Sequence, residues 1–352
     1  MHPLTDQKIR IGIIGAGNNT RKMHLPKLLA LPSVEILEVA NKTETSAQII
    51  AQDFKIPTVR NNWEEVATSP YLDAIVIGTW PYLHSEATCL ALESGKHVLC
   101  EARMAMNQAE AKTMFECSLN HPDLVAQLVP APFTLHADAL IAEMINRGDL
   151  GKVLYFHADY QSNSLADSKA NLHWRRNKKY SGMNVMTLGI IYETLIRWLP
   201  TAQWVKAEAK IFNDMAIDPE TGEPISVQIP DYLSIQVGLQ KSISGTFLIS
   251  EAGSHAATPS IKIMGEKGTL VLELIPDGKL YFGRKDQNLL EEVHIPQNLR
   301  GSWKVEEEFI NAVRNKKPFT HTSFATGLET MRFTEAVYRS YQNNGTRVPV
   351  SQ

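Results

Sequence analysis

The sequence predicts two units. Residues 1–129 read as a doubly wound, parallel α/β sheet, and residues 130–352 as an α+β unit with a large, mostly antiparallel sheet. Three observations carry this. The chain opens with an apolar run, a glycine turn and a helix start. Six strand-like apolar runs then alternate with helical stretches up to residue 129. Beyond Pro130 and Pro132, strand patterns adjoin one another without helical crossovers, as in a sheet with segregated helices.

Ile9, Ile11, Ile13 and Ile14 give a buried first strand. Gly15-Ala16-Gly17 turns tightly, and Asn18, Asn19 and Thr20 open a helix over residues 18–29. Glycine lets a backbone approach a pyrophosphate, and the N–H groups and dipole of a helix start face its charge. Thr20 stands where the dinucleotide fingerprint has its third glycine, and a strand ending in a flexible glycine turn would give the same string. Residues 34–40 form the second strand and 44–53 its helix. The residue after such a strand meets the adenosine ribose, where a carboxylate favours NAD. Here the residues are Asn41-Lys42-Thr43, with no carboxylate to repel a 2′-phosphate and a lysine and hydroxyl to hold one. NADP is therefore the expected cofactor and NAD the second choice. A solvated polar turn is the plain alternative.

A short strand at 57–60 leads to a helix at 62–67, and LDAIVIG at 72–78 is a central strand. It ends in Thr79-Trp80-Pro81-Tyr82-Leu83-His84, at the carboxyl edge where open α/β sheets bind ligands. A helix at 85–94, a strand at 97–100 ending in Glu101-Ala102-Arg103, a helix at 108–119 and a strand at 124–129 complete the alternation. In the second unit a helix at 135–147 stops at Gly148. Strands are expected at 153–161, 204–212, 232–239, 244–250, 260–264, 269–274, 279–282 and 292–295. One long helix is expected at 183–199 and two late ones at 304–314 and 325–343.

The net charge of −3 argues against nucleic acid or an anionic membrane as the main partner. Cys89, Cys100 and Cys117 lack metal-ligand spacing and cannot pair completely, which fits a reducing compartment, and no metal site is expected. No apolar signal region and no run near the roughly 20 residues of a membrane span is present, so a cytoplasmic location is expected.

These pieces in their order resemble the glucose–fructose oxidoreductase / inositol dehydrogenase / rhizopine-catabolism family of NAD(P)-dependent sugar oxidoreductases. The resemblance runs from GIIGAGNNTRKMH and LDAIVIGTWPYLHSEA through ESGKHVLCEARMAMN and INRGDLGKV to WRRNKKYSGMNVMTLGIIYETLIRWL and IKIMGEKGTLVLE. It implies a Rossmann domain, then an α+β domain whose sheet commonly forms homodimers or homotetramers, with a sugar-like substrate between that sheet and the nicotinamide. It also implies that Thr79, Trp80, Pro81 and His84 lie beside the nicotinamide ribose and that Glu101 is near the cofactor.

The departures fall on the family's proton-transfer groups. Its Glu-Lys-Pro is here Glu101-Ala102-Arg103, and its helical aspartate and histidine positions are Thr187 and Ile191. Hydride transfer still needs a proton acceptor or donor. Arg103 cannot deprotonate but can bind an anion or polarise a carbonyl, and a salt bridge is its ordinary alternative. Tyr192, beside the lost histidine, is a candidate acid or a core residue. His173, in the segment that borders the substrate in the family, is a candidate proton carrier or a solvated histidine. Glu193 and Arg197, spaced i,i+4, read as a structural pair. The expected function is an NAD(P)-dependent oxidoreductase of sugars or polyols with a rearranged proton relay. A cofactor-binding sensor or subunit without turnover, or a glycoside-cleaving relative that recycles NAD internally, are the alternatives.

Overall fold

The computed structural model describes residues 7–164, 171–315 and 317–350. The chain divides into two units, Met1–Pro130 with Lys304–Leu328 and Ala131–Trp303 with Glu329–Gln352.

In the first unit, strands β1 (Ile9–Ile14), β2 (Val34–Ala40), β3 (Thr58–Val59), β4 (Ala74–Ile77), β5 (His97–Cys100) and β6 (Ala126–Leu128) form one sheet of order β3-β2-β1-β4-β5-β6. Every pairing in it is parallel. Helices α1 (Leu25–Leu29), α2 (Glu44–Phe54), α3 (Trp63–Ala67), α4 (Pro81–Glu93) and α5 (Gln108–Asn120) provide the crossovers. The alternation in the sequence becomes this order because a parallel partner requires a crossover. The four isoleucines of β1 are fully buried, as expected of a strand covered on both faces. The order reverses between β1 and β4, and this opens the crevice where such sheets take ligands.

Three helix starts are set by their own sequence. Thr43, Asn62 and Asn107 each accept a backbone N–H three residues on, from Ser46, Glu65 and Glu110. The helix expected from residue 18 contains a π-helical turn, Thr20–His24, before α1.

The second unit holds α6 (Asp138–Arg147), β7 (Val153–Gln161), α7 (Lys178–Ser181), α8 (Leu188–Leu195), β8 (Ala202–Lys210), β9 (Met215–Ile217), β10 (Pro224–Ser226), β11 (Tyr232–Leu239), β12 (Ser244–Ser250), β13 (Ser260–Gly265), β14 (Gly268–Glu273), β15 (Leu280–Arg284) and β16 (Glu291–Glu292). The chain closes with α9 (Val305–Asn315), α10 (Phe324–Gln342) and β17 (Val348–Pro349). Nine strands make one sheet, β16-β15-β14-β13-β7-β12-β11-β8-β17, while β9 and β10 pair separately. Only β7–β12 is parallel among its pairings. The inward faces of the strands, α6, α8 and α10 share one core with Phe156, Tyr192, Phe247 and Phe333 at its centre.

Two expectations change. The single long helix at 183–199 is interrupted, and regular α8 begins only at Leu188. Met186 just before it takes a positive φ of 45°, which no helix accommodates. Residues 304–328 group with the first unit rather than the second. The reason is α9, whose Val305, Phe309, Ile310 and Val313 recur at helical spacing and are buried.

Candidate active site: a nucleotide pocket at the strand-order switch

A pocket of about 510 Å³ opens at the carboxyl ends of β1, β2 and β4. Gly15, Gly17, Asn41, Lys42, Thr79 and Trp80, all expected at a nucleotide, line it. Tyr82 and Leu83, named only as part of the stretch after β4, line it too. So do Ser46, Asn61, Asn62 and Trp63, which sequence reading missed. Their signal was available. Ser46 faces the side of its cap residue Thr43, and Asn62-Trp63 open the helix after β3, again at the carboxyl edge of the sheet.

Local chemistry fixes the walls. Gly15 has φ +80°, and a Cβ there would lie 2.5 Å from the Thr79 side chain and 2.8 Å from its backbone nitrogen. The strand end and the loop after β4 can meet only without that carbon. Thr20 fits where the third glycine would stand because Gly78, the residue after β4, leaves it room: a Cβ on Gly78 would collide with Thr20 Oγ1. Thr20 is buried and its hydroxyl lies 3.3 Å from the Gly15 carbonyl, so it braces the turn rather than lining the pocket. Asn41 reaches back, its Oδ1 accepting the Ala16 N–H at 2.6 Å. Thr43 also differs from expectation. Its Oγ1 accepts the Ser46 N–H and donates to Ser46 Oγ at 2.9 Å, so Ser46 presents itself to the pocket instead.

The other expected cofactor residues stand behind the wall. His84 is fully buried, with Nε2 3.0 Å from the Thr79 carbonyl and Nδ1 3.0 Å from that of Arg103. Burial pushes its pKa down, and the ring acts as a strut between two loops. Pro81 is buried as the first residue of α4. Asn18 opens the helical stretch after Gly17, while the Asn19 side chain donates to Glu101. Glu101 also receives His24 Nε2 at 2.9 Å, and His24 Nδ1 lies 2.6 Å from Glu306. Desolvation pushes the Glu101 carboxyl up, but the hydrogen bond and charge of His24 outweigh it and hold the group below its usual range. Desolvation alone would push the His24 pKa down. The two carboxylates outweigh it and raise it from 6.5 to about 9. Nothing in the sequence pairs residues 24, 101 and 306, since the contact spans 282 positions.

Of the residues expected to transfer protons or orient substrate, Arg103 lies buried in the first unit. In the second unit, Tyr192 is fully buried, stacked on Phe333 with centroids 3.7 Å apart. Its hydroxyl donates to Glu329 at 3.0 Å and accepts the Ala202 N–H at 2.9 Å. Burial first, and the Glu329 charge second, push its pKa well above 10. The expectation of an acid at Tyr192 is corrected: the helix turns this residue into the apolar core. Ile191 is also buried. Thr187 precedes α8, and its Oγ1 is buried with no hydrogen-bond partner among the described residues. His173 is exposed on the turn before a short 3-10 helix, and its Nδ1 accepts the Arg175 N–H at 3.3 Å. Among the described residues no group of three metal-ligating side chains assembles, and no helix is long and apolar enough to cross a membrane.

A parallel six-stranded sheet with a glycine-turn pocket at its order switch defines a dinucleotide-binding protein. Residues 9–127 match the model of an oxidoreductase family with an NAD-binding Rossmann fold, and residues 142–350 match that family's C-terminal alpha/beta domain. The chain belongs to the Gfo/Idh/MocA oxidoreductase family.

Among its relatives, the levoglucosan dehydrogenase of Pseudarthrobacter phenanthrenivorans is 26% identical over 51% of this chain and 48% of its own length. The glucose-6-phosphate 3-dehydrogenase of Bacillus subtilis is 24% identical over 73% of this chain and 72% of its own. Solved structures share the fold. Levoglucosan dehydrogenase in complex with NADH and L-sorbose superposes with a TM-score of 0.87 at 19% identity, over 98% of this chain and 99% of that one. The aldose-aldose oxidoreductase of Caulobacter crescentus, complexed with glycerol, gives 0.79 at 16% identity, over 97% and 100%.

Proposed function

We propose that this chain is an NADP-preferring oxidoreductase, with NAD as second choice, that moves hydride to or from a sugar, polyol or related carbonyl compound. The observation that carries the cofactor half is the charge of the pocket: among the described residues, Lys42 is the one charged residue lining it, and no carboxylate does. A 2′-phosphate beside Lys42 and Ser46 meets a cation and a hydroxyl, whereas the carboxylate that binds a free ribose is missing. The relatives named for sugar dehydrogenation support the substrate class.

The residues fit a dinucleotide. Gly15 and Gly78 keep the turn clear of side chains, Asn41 holds it closed, and Thr79 and Trp80 form the far wall. When bound, the cofactor supplies the hydride chemistry and the protein manages position and protons. His173 is the proposed proton carrier. With Nδ1 accepting from Arg175, the neutral ring offers Nε2–H as a hydrogen-bond donor. To act as an acid it would first take up a proton at Nδ1, giving up the Arg175 contact. The imidazolium would then pass its Nε2 proton to a carbonyl oxygen and return to the neutral ring. Thr187 is proposed to meet a substrate hydroxyl, because a buried hydroxyl left unsatisfied costs about 1–3 kcal/mol and Oγ1 has no hydrogen-bond partner among the described residues. Arg103 is proposed to orient substrate charge and not to transfer protons. A homodimer or homotetramer through the nine-stranded sheet belongs to the same proposal, and light scattering of the purified protein tests it.

Titration with NADPH and NADH, read by nicotinamide fluorescence, is the deciding experiment, followed by a sugar and polyol panel. Tighter NADPH binding with turnover supports the proposal, and absence of binding to either in folded, cofactor-free protein overturns it. The burial of Tyr192 and Ile191 favours one second reading, a cofactor-binding subunit without turnover. Hydride transfer above background removes that reading.

A further inference from the structure

Glu101 follows β5, and its backbone N–H donates to Ile77 at 2.9 Å, level with the Gly78-Thr79 wall of the pocket. Its carboxylate accepts the Asn19 side chain, the Ala102 N–H at 3.1 Å and His24 at 2.9 Å. Asn19 stands two residues beyond Gly17, itself part of the pocket lining. On its other side His24 meets Glu306 of α9 at 2.6 Å. His24 is fully buried and Glu306 is 1% exposed. An imidazole with a carboxylate at each nitrogen donates from both, which only the imidazolium can do.

We infer that Glu306 is a positioning residue of the nucleotide site: it holds the His24 imidazolium, which in turn holds the Glu101 carboxylate on Asn19 at the head of the glycine-turn helix. The inference rests on the dinucleotide reading above. Glu306 lies more than 280 positions from the turn it serves. Without it, His24 Nδ1 loses the Glu306 carboxylate, and the imidazolium keeps only one of the two carboxylates that hold its charge, so the ring becomes neutral at lower pH. Glu101 then faces an imidazole in either tautomer and no longer a fixed donor, and Asn19 loses its anchor. The groups that set the His24 charge are Glu101 from the end of β5 and Glu306 from α9. His84 on α4 acts more weakly through Glu101.

The test is the pH profile of cofactor binding. NADPH and NADH are titrated into the full chain, the Glu306→Gln variant and the Glu306→Asp variant between about pH 6 and pH 10, with thermal melts recorded in parallel. In the unaltered protein, affinity holds to about pH 8.5 and weakens through pH 9, where His24 loses its proton. In Glu306→Gln the weakening begins at least one pH unit lower, and at about pH 8 the dissociation constant is roughly five- to tenfold higher, a change of the size one hydrogen bond to a charged group carries. Glu306→Asp restores most of the profile. If Glu306→Gln binds with the unaltered profile while melting lower, Glu306 is a brace alone and the inference falls. If Glu306→Gln does not fold, His24→Gln carries the test: its affinity is expected to be lower below about pH 8 and no longer to weaken through pH 9, and a profile identical to that of the unaltered protein overturns the inference. Failure of the unaltered protein to bind either dinucleotide overturns the dinucleotide reading, and the inference falls with it.

Discussion

The side-chain oxygen of Asn41 accepts the backbone N–H of Ala16 at 2.6 Å, tying the end of β2 to the glycine turn after β1. The residue expected to choose the cofactor is thus also part of the turn that would hold the pyrophosphate. Asp at this position would keep the acceptor and add a negative charge beside Lys42. Asn41→Asp is therefore expected to fold normally and to shift the ratio of NADPH to NADH affinity toward NADH by at least about tenfold, or ~1.4 kcal/mol. Paired fluorescence titrations read the ratio. An unchanged ratio would show that residue 41 acts on the turn and not on the ribose.

Stability should fall on the alkaline side through His24. Its pKa is raised from 6.5 to about 9 in the fold. A raised value means that the stabilisation is fully present below about pH 6.5 and is lost as pH rises through 9. The gap corresponds to on the order of 3 kcal/mol. Glu101, held below its ordinary range, contributes in the opposite sense and loses its share as pH falls through its folded value. Melting temperature from about pH 6 to pH 10 should decline between about pH 6.5 and pH 9 in the unaltered protein and stay flatter in His24→Gln. Parallel profiles would remove His24 from the account.

The parallel sheet was legible because its strands are short, apolar and separated by helices. Alternation of that kind admits few topologies. The strands β7, β11 and β12 fall at 153–161, 232–239 and 244–250 as expected, since turn residues bound each run. β9, β10 and β17 escaped notice at two or three residues each, too short for any period to show. At the site, the glycine turn, Asn41 and the loop after β4 were readable as local motifs. The His24–Glu101–Glu306 chain was not, because its members meet only in the fold. The choice between acid and core for Tyr192 stayed open for a different reason. Its sequence neighbours place it on a family helix, but which side of that helix faces the core is decided by Phe333 on α10.

Tyr192→Phe separates core from catalysis. Removing the hydroxyl leaves the Ala202 N–H without its acceptor and Glu329 without its donor. A loss of about 1–3 kcal/mol in denaturant unfolding is expected, with turnover per folded molecule unchanged. A kcat reduced by a hundredfold or more in stably folded protein would return Tyr192 to the proton relay.

Arg197 is expected to be the most sensitive charged residue of the second unit. Its guanidinium donates to Asp138 at 2.7 Å, Glu193 at 2.8 Å and the Ala131 carbonyl at 2.9 Å. Glu193 in turn accepts the Ala131 N–H, and Asp138 accepts the Trp198 indole at 3.0 Å. The pair Glu193–Arg197 therefore pins the chain just after Pro130 onto α8. Arg197→Met strands two poorly solvated carboxylates and should destabilise by about 3–5 kcal/mol, whereas Glu193→Gln keeps an acceptor for Ala131 and should lose less. Because the two act on one network, the double variant should lose clearly less than the sum of the singles. Strict additivity in urea unfolding would mean that the carboxylates are stabilised by something other than Arg197.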